Sequence, residues 1–372
     1  MARPARVKIA LVVPGGVDPS GEYRVIPALL ALLKRLAAAH EVQVFALAQQ
    51  PQPAEWQLLG ARVCNIGARH TVWRALRRIS AAHRAAPFSV IQSLWSAVPG
   101  FVAVAAGRLL GVPSVVHVAG GELVALPAIG YGGCLTRRAR LREGLQLRAA
   151  GHVTAASGPM IAALAARGVT ASRIALGADL EVWPVRAPRP RGGGPARLVH
   201  VASLNRVKDQ GVLLQALVAL RAARVDFTMD IVGEDTLGGE IQELARTLGL
   251  APWLRFHGFM TQRALRPVME AADLMMLSSR HEAGPLVLHE AALAGVPTVG
   301  TAVGQIRDWA PHAARAAPVG DAARLAALAG ELLADEQQRL NVARAAQAIA
   351  VRENADHTAR SFEALYAQLS AR

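Results

Sequence analysis

The sequence has 372 residues, which is too long for one ordinary domain and suits two domains of about 150–190 residues each. Hydrophobic residues make up 52% of the chain and charged residues 18%, so two cores can be filled and a disordered protein is excluded. The two cysteines, Cys64 and Cys134, exclude a disulfide framework and a zinc site, and the net charge of +14 favours anionic partners.

Short apolar strands alternate with helices in the first half of the chain. We expect strands at residues 7–13, 41–47, 89–94, 114–118 and 153–156. We expect helices at residues 25–38, 101–110 and 159–167, and this alternation indicates parallel sheets built from βαβ units. The first apolar run is too short for a signal peptide. Because the two cysteines are isolated in the sequence, a reducing cytosol is the expected compartment.

An uncharged stretch at residues 85–107 is long enough to cross a membrane. However, Pro87 and Pro99 interrupt it, and the polar side chains of Gln92 and Ser93 lie in its middle. We therefore predict a strand, a loop and a buried helix here rather than a membrane span.

A segment rich in proline and glycine, RAPRPRGGGPA at residues 186–196, predicts a linker. Further strands, with helices between them, are expected at residues 197–201, 227–232, 254–256, 274–277 and 298–300. We therefore assign a first Rossmann-like domain, a linker, a second Rossmann-like domain and a final helix to residues 1–186, 187–196, 197–350 and 351–372. Two such domains that face each other predict a ligand site in the crevice between them.

The strongest candidate site is the segment SSRHEAGPLVLHEAA at residues 278–292, which follows a strand, turns at Gly284 and enters a helix. Pro285 suits the first helical position, where its missing amide hydrogen costs nothing. The backbone amides of Leu286 and Val287 would then face a ligand at the positive end of the helix, which is a phosphate site.

Three charged side chains could complete this site. Glu282 precedes the turn and Glu290 lies about one turn into the helix, so one carboxylate could bind sugar hydroxyls and the other a ribose. Lys208 follows a strand and a loop, from where its ammonium could stabilise a departing diphosphate. Each has an ordinary alternative, because isolated glutamates and lysines are usually solvated surface residues.

Glu282 and Glu290 also reproduce the E-x7-E signature of retaining glycosyltransferases, and residues 200–308 resemble glycosyltransferase family 4. Five further segments carry the resemblance: VASLNRVKD at 201–209, DIVGE at 230–234, FHGF at 256–259, ADL at 272–274 and GVPTV at 295–299. The resemblance implies that Glu282 lies at the donor sugar, that Glu290 binds the nucleotide ribose, and that Gly233 belongs to the donor site.

Two positions depart from the family pattern. The family's arginine five residues before the lysine is Ser203 here, and Arg206 is the nearby residue that could replace it. The family's active-site histidine, in a segment H-G-x-D/E, aligns with Ala119. His117 is the candidate to replace it, because residues two apart lie on the same face of a strand, and a satisfied core histidine is the alternative interpretation.

The amino-terminal half resembles the family more weakly. Gly15 and Gly16 follow the first strand and resemble the glycine loop that approaches the donor phosphates and the acceptor, since glycine lets the backbone come close. The resemblance also implies that the final helix packs back on the first domain.

The sequence contains no D-x-D motif and no cluster of side chains with metal-ligand spacing, so we predict no obligatory metal or cofactor. The segment RRARLREGLQLR at residues 137–148 carries five arginines with leucines among them, and another helix carries Arg74, Arg77 and Arg78. These helices could rest on an anionic membrane, or they could be solvated faces of an arginine-rich protein.

Together these features predict the GT-B architecture, in which two Rossmann-like domains face a cleft, and a retaining, metal-independent glycosyltransferase. We expect it to move a hexose from a UDP- or GDP-linked sugar to a glycan, lipid-linked or small-molecule acceptor in cell-surface polysaccharide or glycolipid synthesis. The expected place is the cytoplasm, including the inner face of the membrane. The alternatives are a degenerate protein that binds nucleotide sugars without turnover and a nucleotide-sugar epimerase. Nucleic acid is not an expected partner, because aromatic residues are 4% of the chain and no recognition motif is present.

Overall fold

The computed structural model describes residues 6–370, without the side chain of Ser370. Its contacts divide the chain into two compact units. The first unit runs from the amino terminus to Gly177 and resumes at Ala355, and the second unit is Ala178–Asn354. Each unit is a largely parallel sheet whose strands are connected by helices, so the predicted pair of Rossmann-like units is confirmed.

The first unit is built around an eight-stranded sheet. Its strands are β1 (Lys8–Val13), β2 (Glu41–Ala46), β3 (Ala54–Leu58), β4 (Ala61–Asn65), β5 (Val90–Leu94), β6 (Ser114–Val118), β7 (His152–Ala155) and β8 (Ser172–Arg173). Its first five helices are α1 (Pro27–Ala39), α2 (Thr71–Ala85), α3 (Ala97–Leu110), α4 (Arg137–Ala149) and α5 (Gly158–Ala165). The strand order is β3-β4-β2-β1-β5-β6-β7-β8, and only the β3–β4 pair is antiparallel.

Helices cover the central strands of this sheet. β5 and β6 are buried along their whole length, as expected for parallel strands with both faces covered. On one face α2 packs against α3 and α3 against α4, and Ile79 and Val102 from these helices meet Phe45 and Ile91 of the sheet. The uncharged stretch at residues 85–107 thus forms β5 and most of α3, and no helix in the described part of the chain is long and apolar enough to cross a membrane.

The second unit is built around a six-stranded, fully parallel sheet. Its strands are β9 (Ala196–Val201), β10 (Phe227–Val232), β11 (Leu254–Gly258), β12 (Leu274–Leu277), β13 (Thr298–Thr301) and β14 (Arg315–Ala317). Its helices are α6 (Gln210–Ala222), α7 (Glu240–Thr247), α8 (Gln262–Ala271), α9 (Leu286–Leu293), α10 (Gly304–Trp309), α11 (Ala322–Ala334) and α12 (Glu336–Arg352). The strand order β11-β10-β9-β12-β13-β14 reverses between β9 and β12, which is the switch point of a doubly wound sheet.

The segment predicted as a linker, residues 187–196, belongs to the second unit. The Arg189 guanidinium donates to the carbonyl of the last residue of α8 at 2.6 Å, and the Arg191 amide donates to the first residue of α12 at 2.9 Å. The boundary between the units therefore lies after Gly177, earlier than the predicted end of the first domain at residue 186, because arginine contacts fasten a segment whose composition alone indicates a linker. At the other end, residues 351–354 also stay with the second unit.

The final helix, α13 (Ala355–Ser370), belongs to the first unit and packs against α1. Phe362 and Tyr366 are buried, and the Tyr366 hydroxyl donates to a glutamine of β5. The Gly177 amide donates to the Thr358 hydroxyl at 3.0 Å, so the end of the first segment is fastened to this helix. The core of the first unit is thus completed by the last residues that the structure describes.

Candidate donor-binding site

The switch point of the second unit brings two loops together. β9 and β12 are neighbours in the sheet, and the loops that leave their carboxyl ends carry Lys208 and Glu282. Open α/β sheets bind ligands at this point, because the connections from the two strands diverge and leave a crevice. The topology thereby places side by side two side chains that are 74 positions apart in the sequence.

Lys208 and Glu282 form the central ion pair of this site. Lys208 Nζ lies 2.5 Å from Glu282 Oε1, and Ser279 Oγ donates to the same carboxylate oxygen at 2.7 Å. The lysine and glutamate side chains are 23% and 10% exposed, so a ligand can reach them while solvent screens them less than a surface pair. The site therefore presents one cation and one anion at the carboxyl end of the sheet.

Hydrogen bonds join the two loops on both sides of the ion pair. Ser278 Oγ donates to the Lys208 carbonyl at 2.8 Å. The Arg280 amide donates to the Val207 carbonyl at 2.8 Å, and its guanidinium binds Asp209 at 2.7 Å. The backbone near Lys208 is therefore held by the loop that carries the glutamate, so the ammonium is positioned by main-chain contacts as well as by charge.

A buried histidine that was not expected from the sequence lies in β9, the strand that precedes the Lys208 loop, and contacts both β12 and α6. His200 lies in β9, where Nδ1 contacts the Met276 carbonyl at 2.8 Å and Nε2 contacts the Gln210 side-chain amide at 3.2 Å. Burial lowers the pKa of His200 to about 4, so the ring is neutral, donates to the carbonyl and accepts from the amide. Its one signal in the sequence is a polar side chain near the end of an apolar strand.

Glu290 lies in α9 and is almost completely buried. Gln262 of α8 donates to Glu290 Oε1 at 2.5 Å. Burial raises the pKa of Glu290 to about 7, while the side chains of Gln262 and Trp183 act in the opposite direction. The carboxyl can therefore exchange between its protonated and ionised forms near neutral pH. Of these three side chains, only the glutamate was expected at the site from the sequence.

The helix α9 begins at Leu286, so Pro285 is the N-cap residue and not, as predicted, the first helical residue. Its ψ of 115° is extended, which continues the turn after Gly284 and starts the helix one residue later. The amides of Leu286 and Val287 belong to the first turn, whose N–H groups have no acceptor within their own helix. In the sequence, these two amides lie between Glu282 and Glu290.

Arg206 does not join the ion pair. Its guanidinium contacts Glu240 at the start of α7 at 3.2 Å, and both side chains are more than half exposed. Ser203, which stands where the family has an arginine, contributes its carbonyl, which accepts from Gln210 at 3.1 Å. The geometry therefore gives no support to Arg206 as a replacement for the family's arginine.

The backbone conformation and the close packing at Gly233 both require glycine. Its φ is 153°, and a Cβ at this position would lie 1.9 Å from the Ala202 carbonyl oxygen. The Gly233 amide donates to the Gly258 carbonyl at 2.8 Å. Only glycine fits where the loops after β9, β10 and β11 pass so closely. The close packing of these loops is therefore enough to explain why residue 233 is glycine, and no contact with a ligand is needed.

In the first unit, Gly15 and Gly16 follow β1. The amides of Gly16 and Val17 both donate to Gln49 Oε1, at 2.6 and 3.0 Å. Gly16 has a φ of 81°, and a Cβ there would lie 2.5 Å from Ile26, so glycine is required for this turn. The Gly16 amide, which was expected from the sequence to approach the donor phosphates, therefore already has an acceptor within the protein.

His117 is fully buried in β6. Its Nδ1 lies 2.8 Å from Thr154 Oγ1, and its ring packs edge-on against Phe362 of α13 with 5.6 Å between ring centroids. Burial lowers the pKa of His117 to about 3, so the ring is neutral. These contacts fit a core histidine and give no support to the expected catalytic role, because α13 packs over the ring.

Glu122 is a buried carboxylate that the sequence analysis did not select. It accepts the Ser96 amide at 3.1 Å and the Gly120 amide at 2.7 Å, which joins the loops after β5 and β6. Burial raises the pKa of Glu122, and these amides oppose the rise. Its position as the last residue of the family's H-G-x-D/E segment was the signal available in the sequence.

Metal-ligating side chains do not form a cluster within residues 6–370. No group of three or more histidine, cysteine, aspartate or glutamate side chains there could hold a metal ion. The cation that contacts Glu282 is the Lys208 ammonium.

Two protein families match the chain, one for each unit. The glycosyl transferases group 1 family matches residues 183–349, and the glycosyl transferase 4-like domain matches residues 25–176. The first match contains Lys208, Glu282 and Glu290. Glycogen synthase from Mycobacterium tuberculosis is 35% identical over 128 residues, which cover 34% of this chain and 31% of that protein. The match therefore spans less than a third of the relative's length.

Solved structures share the fold over almost the whole chain. Sucrose-phosphate synthase from Thermosynechococcus elongatus has a TM-score of 0.81 at 20% identity, covering 98% of this chain and 100% of that one. HepE from Anabaena, in complex with UDP-glucose, has a TM-score of 0.73 at 19% identity and the same coverage. At these identities the likeness shows a common fold of two Rossmann-like units.

Proposed function

Because the chain belongs to the glycosyl transferases group 1 family, also called glycosyltransferase family 4, and has the GT-B fold, we propose that it is a retaining, metal-independent glycosyltransferase. The observation that carries the proposal is the Lys208–Glu282 ion pair at the switch point of the second unit, next along the chain to the first turn of α9. An ammonium and free helix amides suit a diphosphate, and a carboxylate suits sugar hydroxyls.

In the proposed reaction, the bond between the anomeric carbon and the diphosphate oxygen breaks, and the diphosphate leaves with the electron pair. Lys208 and the amides of Leu286 and Val287 would stabilise the charge that develops on this oxygen. The acceptor oxygen forms the new bond on the same face of the sugar, and its proton leaves with the diphosphate. Retention of configuration is part of the proposal because the family implies it.

The ion pair must rearrange when a donor binds. Glu282 Oε1 now receives both Lys208 and Ser279, which satisfies the carboxylate within the protein. A diphosphate is a stronger partner for the ammonium than one carboxylate oxygen, because it carries more charge and more acceptors. Glu282, still held by Ser279, would then be available for the hydroxyls of the sugar.

The nucleotide ribose is assigned to Glu290. A buried carboxyl with a single strong donor, Gln262, can exchange that hydrogen bond for bonds from ribose hydroxyls. Gly284 and Gly233 would shape the backbone around the donor. Gly15 and Gly16 would reach its phosphates only after the Gly16 amide exchanges its bond to Gln49.

The donor is proposed to be a hexose linked to UDP or GDP. UDP is the first nucleotide to test, because HepE, which shares the fold, binds UDP-glucose. The acceptor is proposed to be a glycan, a lipid-linked sugar or a small molecule, in polysaccharide or glycolipid synthesis in the cytoplasm. A lipid-linked acceptor would bring the protein to the inner face of the membrane.

Calorimetric titration with UDP, GDP and ADP in the presence of EDTA tests the donor site. One nucleotide should bind the wild type, and Glu290→Ala should bind it at least about tenfold more weakly, since a buried hydrogen-bonding group is lost. Arg206→Ala is the matched control, because it removes a charged side chain that lies outside the ion pair. Failure of all three nucleotides to bind the wild type would contradict the proposal.

Incubation of the matching nucleotide sugar with water and with a panel of acceptors then separates the alternatives. A glycosylated acceptor whose anomeric configuration, read by NMR, equals that of the donor would support a retaining transferase. Binding without hydrolysis or transfer would favour the degenerate binding protein. A free, epimerised nucleotide sugar would favour the epimerase.

A further inference from the structure

The helices α2, α3 and α4 carry an unbalanced positive charge. They contain ten arginines, four in α2, one in α3 and five in α4. Their single acidic residue, Glu143, is buried. Because the three helices pack side by side on one face of the sheet, this charge lies on one surface of the first unit, which we call the α2–α4 face.

The α2–α4 face also exposes large apolar side chains. Leu141 and Leu145 of α4 are 64% and 58% exposed, and Phe101 of α3 is also exposed. A groove with a volume of about 470 Å³ lies between α3 and α4. Apolar side chains and arginines line it: Phe101, Leu141, Leu145, Arg108, Arg138 and Arg142. Exposed apolar side chains gathered in one groove mark a binding surface more often than a solvated one.

Helix α4 places arginines where they oppose its own dipole. Arg137, Arg138 and Arg140 lie at its amino-terminal end, and no acidic residue lies in the first turn. A helix amino terminus carries a partial positive charge, so cations there destabilise the helix. The Thr136 side chain caps it by accepting from the Ala139 amide at 3.1 Å. An anion bound at this end would relieve the conflict.

Of the arginines that line the groove, Arg142 acts electrostatically on the neighbouring Glu143, which is buried. In the part of the chain that the structure describes, Arg108, Arg138 and Arg142 form no salt bridge. By contrast, Arg62 and Arg78 share Glu55 at 2.6 and 3.6 Å. The charge beside the groove is therefore available to an external anion.

We propose that the α2–α4 face docks on an anionic phospholipid bilayer, with a lipid acyl chain in the α3–α4 groove and headgroup phosphates on its arginines. Arginines that border exposed leucines are typical of helices that lie in a membrane interface. A second copy of this chain does not fit, because two such faces would bring like charges together. Nucleic acid would use the arginines but leave the leucines in water.

Co-sedimentation with lipid vesicles tests this surface without any donor or acceptor, so its outcome is separate from that of the transfer reaction. The probes are vesicles of phosphatidylcholine alone and vesicles with about 30% phosphatidylglycerol. We expect at least about tenfold stronger binding to the anionic vesicles, and weaker binding as salt rises from about 50 to 300 mM. A wild-type protein that sediments with neither vesicle would overturn the proposal.

Two double variants and one control locate the contact. Arg138→Glu with Arg142→Glu should weaken binding at least about tenfold, and glutamate near the start of α4 favours the helix, so the fold should survive. Arg255→Glu with Arg344→Glu makes the same change of net charge at exposed positions of the second unit and should bind like the wild type. Leu141→Ser with Leu145→Ser keeps the charge and should weaken binding severalfold.

The variants can each contradict the proposal. Equal losses in the two arginine double variants would mean that net charge alone attracts the protein, and the α2–α4 face would have no special role. Unchanged binding of the leucine double variant would mean that no acyl chain enters the groove. Circular dichroism of each variant shows whether the fold is intact.

Discussion

The two units share a strand order around their switch points but differ in what lies there. In the second unit, the loops after β9 and β12 meet through Lys208 and Glu282, 2.5 Å apart and partly exposed. In the first unit, the loop after β1 is occupied by its own contact between Gly16 and Gln49, and the loop after β5 by the Ser96–Glu122 contact.

This difference follows from what each unit is proposed to bind. A nucleotide diphosphate needs the same few partners, a cation, helix amides and a carboxylate, whatever sugar it carries. Such partners can be built into the unliganded fold, and they leave a recognisable motif. In the first unit, the Gly16 amide and the Glu122 carboxylate already have partners within the protein, and no charged motif in its sequence indicates an acceptor.

The largest effect should come from removing the cation of the second unit. We expect Lys208→Met to lower kcat by about 100-fold or more, because the leaving diphosphate loses its nearest positive charge. Arg206→Met, which breaks an exposed ion pair, should change kcat by less than about threefold. Steady-state kinetics with the matching donor measure both, and similar losses would remove the distinction between the two side chains.

Next in size is a pH effect at Glu290. Burial raises the pKa of Glu290 from 4.5 to about 7, so between these values the folded protein holds a proton that the unfolded chain has released. The free energy of unfolding should therefore fall as pH rises through this window. Glu290→Gln lacks this titration, and its stability relative to wild type should increase by about 2–3 kcal/mol between pH 5 and pH 8. Urea denaturation at both pH values tests this, and parallel pH profiles would show that the carboxyl is not buried as described.

A smaller effect is expected in the first unit at Gln49. Gln49→Ala leaves the amides of Gly16 and Val17 without their acceptor and should lower the free energy of unfolding by about 1–3 kcal/mol. Nucleotide affinity should stay within about twofold, because Lys208, Glu282 and Glu290, which are proposed to hold most of the donor, belong to the second unit. Urea denaturation and calorimetric titration measure the two quantities, with exposed Gln52→Ala as the control. A large loss of nucleotide affinity would mean that the glycine turn holds the donor directly.

The smallest effect is expected at His117. His117→Gln keeps a polar side chain beside Thr154 and should change kcat by less than about threefold, since the ring packs in the core. The dependence of kcat on pH should also be unchanged. A loss near 100-fold with an unchanged melting temperature would restore the catalytic role that the sequence suggested.

Most of the sheets could be predicted, because buried parallel strands appear as continuous apolar runs. The β3–β4 hairpin was not predicted, although AEWQL at residues 54–58 alternates apolar and polar side chains as a strand does. The turn that follows this strand is unusual. Leu59 and Gly60 both adopt left-handed backbone, with φ of 50° and 84°. A leucine in that conformation is rare, so Gly60 alone marks this turn in the sequence.

In the site, too, residues that belong to a sequence motif could be predicted, whereas residues brought together only by the fold could not. Lys208, Glu282 and Glu290 could be found because their spacing carries a motif. Gln262 and Trp183 could not, because each meets Glu290 through packing between elements distant in sequence. The segment predicted as a linker shows the same limit, because proline and glycine indicate an irregular backbone but not that Arg189 hydrogen-bonds to the end of α8.

The place of α13 in the fold determines the order in which a newly made chain can mature. Gly177 and Thr358, which α13 brings into contact, are 181 residues apart in the sequence. At translation rates of about 5–20 residues per second, the ribosome needs roughly 10–40 s to span that distance. During this time the second unit, which is continuous in sequence, can fold as it emerges. The first unit, although made earlier, cannot bury the apolar surface that α13 covers until α13 has been made, so this surface stays exposed to solvent for that time.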